Sequence, residues 1–555
     1  MQKQRLWPQD RGRRPRLLVV LLAAVGSSLA GGAGPGLAQD PTAMPPVQSL
    51  RGKCAGLTGI ALGGGGRIAG AVVSSVAGGT FGTAEYCAVR IEATDSALKI
   101  NVVLPLQGWN GRFLETGGGG FKGNLGDPLR GRPGQEPDAA NRLRGYVIAT
   151  SNGGHDATDN TNAAFAMDGV KLTEYTYLAE HRAAVLSKTL IEQFYGRAPS
   201  NSYFQGCSTG GHDALMEAMR YPEDFNGIVA GSPAGNFVGL YLQFNRISTQ
   251  LRKPGAMIST AKQHLLARAV LAQCDGEDGV VDGIISRAEQ CRFNPSKLRC
   301  AAGRDTGDNC LSDAQIETIE VITSPYTTAD GRWSHPGYNF GGEDSPNGWG
   351  SYIWPRLSVG PQESSNSQQA AQNTGPSSSS QMSFSDQWVR GFMAHDKNFD
   401  SARFDGNNFL PSLFTLGSLW QAFNPDLSGF LIHGGKLIYW NGTMDTSVTP
   451  RDASRFYDGA VQTMGQKNTD KVLETFLLPG VGHCGGGPGP SDVDWLDAVT
   501  KWVEQGTPPS QQRLVAKKAD ANTIQDRPVC KYPSYPRYNG SGDPKRASSF
   551  VCSGG

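Results

Sequence analysis

Two short stretches of the chain carry side chains that could do nucleophilic chemistry. Gly206-Cys207-Ser208-Thr209-Gly210 is a G-x-S-x-G pentapeptide, the spacing that seats a serine on a sharp turn between a strand and a helix. Far downstream, Pro479-Gly480-Val481-Gly482-His483-Cys484-Gly485 offers an imidazole in a glycine-rich loop. A serine hydroxyl is a weak nucleophile until a base takes its proton, and imidazole does this near neutral pH. A carboxylate on the other ring nitrogen would hold the tautomer and stabilise the imidazolium. Asp445 is favoured for that role over Asp452 and Asp458, because it alone lies within a few residues of a strand end. His155 and His212 are candidates to line the same site, whereas His433, before a Gly-Gly turn, reads as structural. Acyl transfer also needs preorganised donors for an oxyanion. The N–H of Thr209 is one, and the run Gly117-Gly118-Gly119-Gly120 can supply the other, with Gly119 favoured.

The elements that must hold these residues are legible as short apolar runs. Strands are expected at Leu98–Pro105, Arg112–Glu115, Gly145–Thr150, Asn201–Gln205, Gly227–Ala230, Lys436–Trp440 and Thr475–Leu478. Helical spacing of apolar residues covers Glu174 to Tyr195, and His212 to Arg220 reads as helical up to Pro222. Strands alternating with helices predict an α/β architecture with a mainly parallel sheet. Ser208, Asp445 and His483 all fall just after strands, where open α/β sheets place their sites. Their order along the chain is the one found on α/β-hydrolase sheets. Residues 236–424 break the rhythm with cysteine-rich turns, Trp333, Trp349 and Trp354, and a Ser/Gln-rich patch from Gln362 to Gln381 that reads as a mobile loop. They are expected to form a lid domain inserted between 39–235, which carries the serine, and 425–555, which carries Asp445 and His483.

Composition narrows the setting. Arg11, Arg13, Arg14 and Arg16 precede the apolar run Leu17–Ala30, and Gly36-Leu37-Ala38 ends in a small residue. Residues 1–38 therefore read as a signal peptide, since the apolar run is shorter than the roughly 20 residues a membrane span needs. A formal net charge of +1 argues against a nucleic-acid surface. The 10 cysteines are even in number, which in an exported chain suggests a full set of disulfides. Locality pairs Cys274 with Cys291, Cys300 with Cys310 and Cys530 with Cys552, and Cys54–Cys87 would close an N-terminal segment. By elimination Cys207 and Cys484 are left for each other, although sequence alone leaves other pairings open. Such a bond would tie the serine turn to the histidine loop.

A second cluster runs from Cys274 to Cys291. Asp275, Asp278 and Asp282 stand three and four residues apart in a glycine-bearing loop, and the carbonyls of Val280 and Ile284 could add to them. Oxygen donors of that kind suit a hard cation with irregular coordination, calcium rather than magnesium. The loop is not an EF-hand, because Ser286 stands where a bidentate glutamate would be needed.

The segments SYFQGCSTGGHDALMEAMRYPEDFNGIVAGSPA, GTMDTSVTP and GVGHCGG, together with the Asp-rich loop, resemble the tannase/feruloyl esterase family over nearly the whole mature chain. The resemblance implies an α/β-hydrolase core with a lid and hydrolysis of esters of aromatic acids such as hydroxycinnamates or gallates. The family's serine, aspartate and histidine motifs fall on Ser208, Asp445 and His483, and its disulfide beside them falls on Cys207 and Cys484. Its lid calcium ligands fall on Asp275, Asp278, Val280, Asp282 and Ile284. Where many members carry an arginine after the Gly-Gly that follows the serine, this chain has His212. Two alternatives accompany this expectation of a secreted or periplasmic serine esterase. One is a mono(2-hydroxyethyl) terephthalate hydrolase-like esterase, and the other a non-catalytic, calcium-stabilised protein that binds aromatic compounds or cell-wall polymer. A serine peptidase is a more distant third.

Overall fold

The computed structural model describes residues 44–76, 83–129, 144–355, 378–519 and 524–554. The expected signal segment and most of the Ser/Gln-rich patch lie outside the described residues.

Ten strands form one sheet. In chain order they are β1 (Ala61–Leu62), β2 (Gly66–Val76), β3 (Ala84–Ala93), β4 (Lys99–Pro105), β5 (Arg112–Thr116), β6 (Val147–Ser151), β7 (Asn201–Cys207), β8 (Gly227–Gly231), β9 (Lys436–Gly442) and β10 (Leu473–Leu478). Their spatial order is β1-β2-β3-β4-β6-β5-β7-β8-β9-β10. From β6 to β10 every neighbour is parallel, and β1 to β4 add an antiparallel meander at one edge. The parallel part meets the sequence expectation. Within the meander only β4 had been expected, because β2 and β3 are rich in Ala, Gly, Ser and charged residues that weaken the apolar signal.

Alternation along the strands separates two faces of the sheet. Phe113, Phe204, Ile228, Ala230, Leu437 and Tyr439 join one buried cluster. Their chain neighbours Leu114, Tyr203, Val229, Ile438 and Trp440 join another. The helices Ala179–Tyr195 and Thr209–Arg220 feed the first cluster, and Trp495–Gln505 feeds the second. Both faces are thus covered, as a parallel sheet requires. Burying each large side chain of this kind contributes about 1.5–3 kcal/mol.

Between β8 and β9 the described residues add no strand to this sheet. They build a third cluster around Phe237, Tyr241, Trp349, Trp388 and Trp420, joined by Phe121, Phe165 and Tyr175 from before the serine. Trp349 and Trp354 belong to that cluster, with Trp349 completely buried. They pack the inserted segment and do not offer an open stacking surface. No described helix is long and apolar enough to cross a membrane.

Candidate active site

Ser208 sits between β7 and the helix Thr209–Arg220 with φ 65°, a left-handed backbone that a non-glycine residue adopts only when its surroundings impose it. The imposed contacts are visible. Ser208 N donates to the Gly231 carbonyl at 3.0 Å, and Ser208 O accepts from His212 N at 2.9 Å and Ala234 N at 3.0 Å. The pentapeptide glycines are required by space. A Cβ on Gly206 would lie 2.2 Å from the Gly210 carbonyl oxygen, and one on Gly210 would lie 2.8 Å from the Gly118 oxygen. The second contact also shows that the glycine run after β5 is pressed against the first turn of the serine helix.

Asp445 and His483 follow β9 and β10, which are parallel neighbours. His483 Nδ1 lies 2.8 Å from Asp445 Oδ2. The other carboxylate oxygen accepts from the N–H groups of Ser447 at 2.8 Å and Val448 at 2.9 Å. Asp445 is therefore buried, oriented and aimed at one ring nitrogen. The competing carboxylates point elsewhere. Asp452 pairs with Arg455 and Asn236, and burial pushes it up to about 6, while Asp458 lies 3.5 Å from the Tyr532 hydroxyl.

The five expected disulfides are all present. Cys207 and Cys484 have Cα atoms 5.9 Å apart. With consecutive Cα atoms 3.8 Å apart, the bridge keeps the Ser208 and His483 Cα atoms within about 13.5 Å of each other. Among the described residues no hydrogen bond joins Ser208 Oγ to His483, a contact that commonly closes only around bound substrate.

Thr209 opens its helix, so its N–H has no intrahelical acceptor. The N–H groups of Gly118, Gly119 and Gly120 likewise find no acceptor among the described residues. The loop is fastened by its carbonyls instead. The Gly120 oxygen accepts from Thr209 Oγ1 at 2.7 Å and from the Tyr175 hydroxyl at 3.0 Å. Among the described residues, donors without an acceptor thus remain on both sides of the serine turn.

The remaining histidines are held in other roles. His212 Nε2 bonds the Trp420 carbonyl at 2.8 Å and is fully buried. His155 stacks on Phe165 at 3.7 Å, and burial pulls it down to about 4, so it is neutral at pH 7. His433 is an exposed turn residue. Sequence reasoning missed Tyr352, whose ring stands edge-on to the His483 imidazole with centroids 5.3 Å apart. It comes from the inserted segment, and nothing in its local sequence marks it. The same segment abuts the histidine loop at Gly482, where a Cβ would lie 2.1 Å from the Asn347 carbonyl oxygen. It also reaches the Asp445 loop through Gln381 Nε2, which donates to the Thr446 carbonyl at 2.7 Å.

In the Asp-rich loop, Asp275 and Asp278 are buried, and desolvation raises both carboxyls above the usual range. The carbonyls of Val280 and Ile284 accept no hydrogen bond among the described residues. Arg527 supplies a single positive charge, 2.5 Å from Asp282 and 4.0 Å from Asp278. The donor chemistry fits a hard cation, which would offset the remaining negative charge. The three carboxylates do not converge in this structure, however. Among the described residues only His181, Glu217 and Asp224 bring ligand atoms within 4.8 Å of one another. There Asp224 is already paired with His181, at 2.5 Å, and with Lys188.

A ten-stranded sheet with a left-handed serine after β7 and a paired Asp445–His483 after β9 and β10 defines an α/β-hydrolase. The chain belongs to the tannase and feruloyl esterase family, whose model matches residues 87–553. It is 32% identical over 462 residues to an uncharacterized esterase of Agrobacterium fabrum, covering 80% of each chain. It is 28% identical over 494 residues to feruloyl esterase C of Talaromyces stipitatus, covering 84% of this chain and 86% of that one. The crystal structure of feruloyl esterase B from Aspergillus oryzae superposes with a TM-score of 0.77 at 24% identity, covering 91% of this chain and all of the other.

Proposed function

We propose that this carboxylic ester hydrolase acts on esters of aromatic acids of the hydroxycinnamate or gallate type through an acyl-enzyme on Ser208. The observation that carries the reading is the His483–Asp445 hydrogen bond on a loop disulfide-bonded to the residue before a left-handed serine. In this mechanism Ser208 Oγ attacks the ester carbonyl carbon while His483 Nε2 accepts the hydroxyl proton. The charge that develops on the carbonyl oxygen is met by the N–H groups of Thr209 and Gly119. Collapse breaks the C–O bond to the alcohol, which leaves with the proton held on His483. Water then attacks the acyl-enzyme, giving a proton to His483; the bond from the acyl carbon to Ser208 Oγ breaks, Oγ takes that proton from His483, and the free acid departs. Asp445 keeps Nδ1 protonated throughout and stabilises the imidazolium.

The inserted segment acts as a lid in this proposal, with Tyr352 at the boundary between the histidine and the acyl group. Five disulfides favour an oxidising compartment, secreted or periplasmic. The direct test is a panel of methyl ferulate, methyl gallate and a terephthalate monoester, with fluorophosphonate labelling of Ser208 followed by mass. Turnover of the first or second together with a labelled Ser208 is expected. Aromatic ligand binding with no labelling would replace the enzyme reading with that of a binding protein.

Calcium held by Asp275, Asp278, Asp282 and the carbonyls of Val280 and Ile284 is proposed as a structural ion. It would add beside the buried Asp275 and Asp278 the positive charge that Arg527 only partly supplies. Removing it with a chelator is expected to lower the melting temperature by several degrees, with recovery on adding calcium. An unchanged melting curve, with no metal detected in the purified protein, would count against the ion.

A further inference from the structure

The two proposed oxyanion donors lie on different elements, the glycine loop and the serine helix, so something must fix the distance between them. We infer that Lys122 is the positioning residue that does so, clamping the glycine loop to the helix through a buried ion pair. The inference rests on the reading above that Thr209 and the glycine loop bind the oxyanion.

The geometry is specific. Lys122 stands two residues after the glycine run in a left-handed conformation, φ 56°, and its N–H donates to the Gly119 carbonyl at 3.0 Å. That bond closes a turn on the very residue favoured as donor. Its ammonium then reaches Asp213 at 2.8 Å and Glu180 at 2.6 Å, with all three side chains at most 5% exposed. Asp213 stands in the serine helix, five positions after Ser208. Glu180 also accepts from the Ser151 hydroxyl at 2.9 Å, which anchors the pair to the end of β6. The aliphatic stem fills the space beside two further glycines. A Cβ on Gly118 would lie 2.8 Å from Lys122 Cγ, and one on Gly153 would lie 2.4 Å from Cδ. The glycine loop, the serine helix and the end of β6 therefore meet at one ammonium.

The charges nearby explain why this site needs a cation. Among the described residues Glu115 and Glu217 are buried without a hydrogen-bond partner for at least one oxygen each, and desolvation raises both well above the usual carboxyl range. Asp213, by contrast, is held below its ordinary value: burial pushes it up, but the Lys122 charge and the His212 contact outweigh that. Lys122 itself is held above its usual range by Asp213 and Glu180 against the cost of its burial. Both partners of the clamp thus stay charged, and a buried pair of this kind is costly to break from one side only.

The test uses the full chain and compares K122M, K122R and the double variant K122M/D213N. Turnover is counted per site titrated by a fluorophosphonate, so that misfolded protein does not enter. K122M is expected to lower kcat about 10- to 100-fold with KM changed less than about threefold, as misplacement of roughly 1 Å does. K122R should recover part of that loss. If K122M is poorly folded, the double variant removes the stranded Asp213 charge and should show the same kcat loss. A kcat per titrated site within twofold of the parent, in whichever of the two folds, would overturn the inference. Failure of the parent to label at Ser208 would sink the underlying reading instead.

Discussion

Replacing Ser208 by alanine is expected to lower ester turnover about a million-fold, the scale seen when a nucleophile is removed from an intact catalytic group. The fold should be unaffected. The left-handed backbone is imposed by the Gly231, His212 and Ala234 contacts of the main chain, none of which needs the hydroxyl. Alanine carries the same Cβ as serine, so the strain at φ 65° is unchanged. Circular dichroism and melting curves matching the parent would establish that only chemistry was lost. Turnover within a hundredfold of the parent in a folded protein would mean that another group is the nucleophile.

The second large effect is expected from removing one particular bridge. The double variant C207A/C484A opens a loop of 277 residues, for which a chain-entropy model gives on the order of 5 kcal/mol as an upper figure. Stability is only part of the matter. His483 is oriented by Asp445 from one side, while its position relative to Ser208 depends on Cys484. Loss of that tie should lower kcat per titrated site about a hundredfold, the usual consequence of a misplacement near 1 Å. Cys300–Cys310, which closes 10 residues in the inserted segment, is the control. Its removal as C300A/C310A should leave kcat per site unchanged. Equal losses from the two double variants would remove any special geometric role for Cys207–Cys484.

Both expectations start from features visible in the chain. G-x-S-x-G marked the serine turn, because only glycine fits at Gly206 and Gly210. Gly482 and Gly485 likewise marked a loop too open to be core. Asp445 could be ranked over Asp452 and Asp458 by its distance from a strand end, and the structure pairs it with His483. The parallel strands were legible because burial on both faces makes them continuous apolar runs. The meander strands β2 and β3 were not, since one-sided burial and small residues blur the pattern.

Legible from the chain alone, then, are local and compositional features: the serine turn, the histidine loop and the alternation of strands and helices, while the cysteine pairing needed the folded structure to settle it. These follow from residue types and short spacings, which act through backbone sterics and burial along one element. The folded chain sets how distant elements meet. It placed Trp349 and Trp354 in a packed core and Tyr352 against the imidazole. It set Arg527 against the Asp-rich loop from the far end of the chain. It brought Lys122, Glu180 and Asp213 together beneath the serine helix. No short-range pattern encodes such contacts, because their energy comes from desolvation and charge pairing between residues that meet only once the sheet has formed.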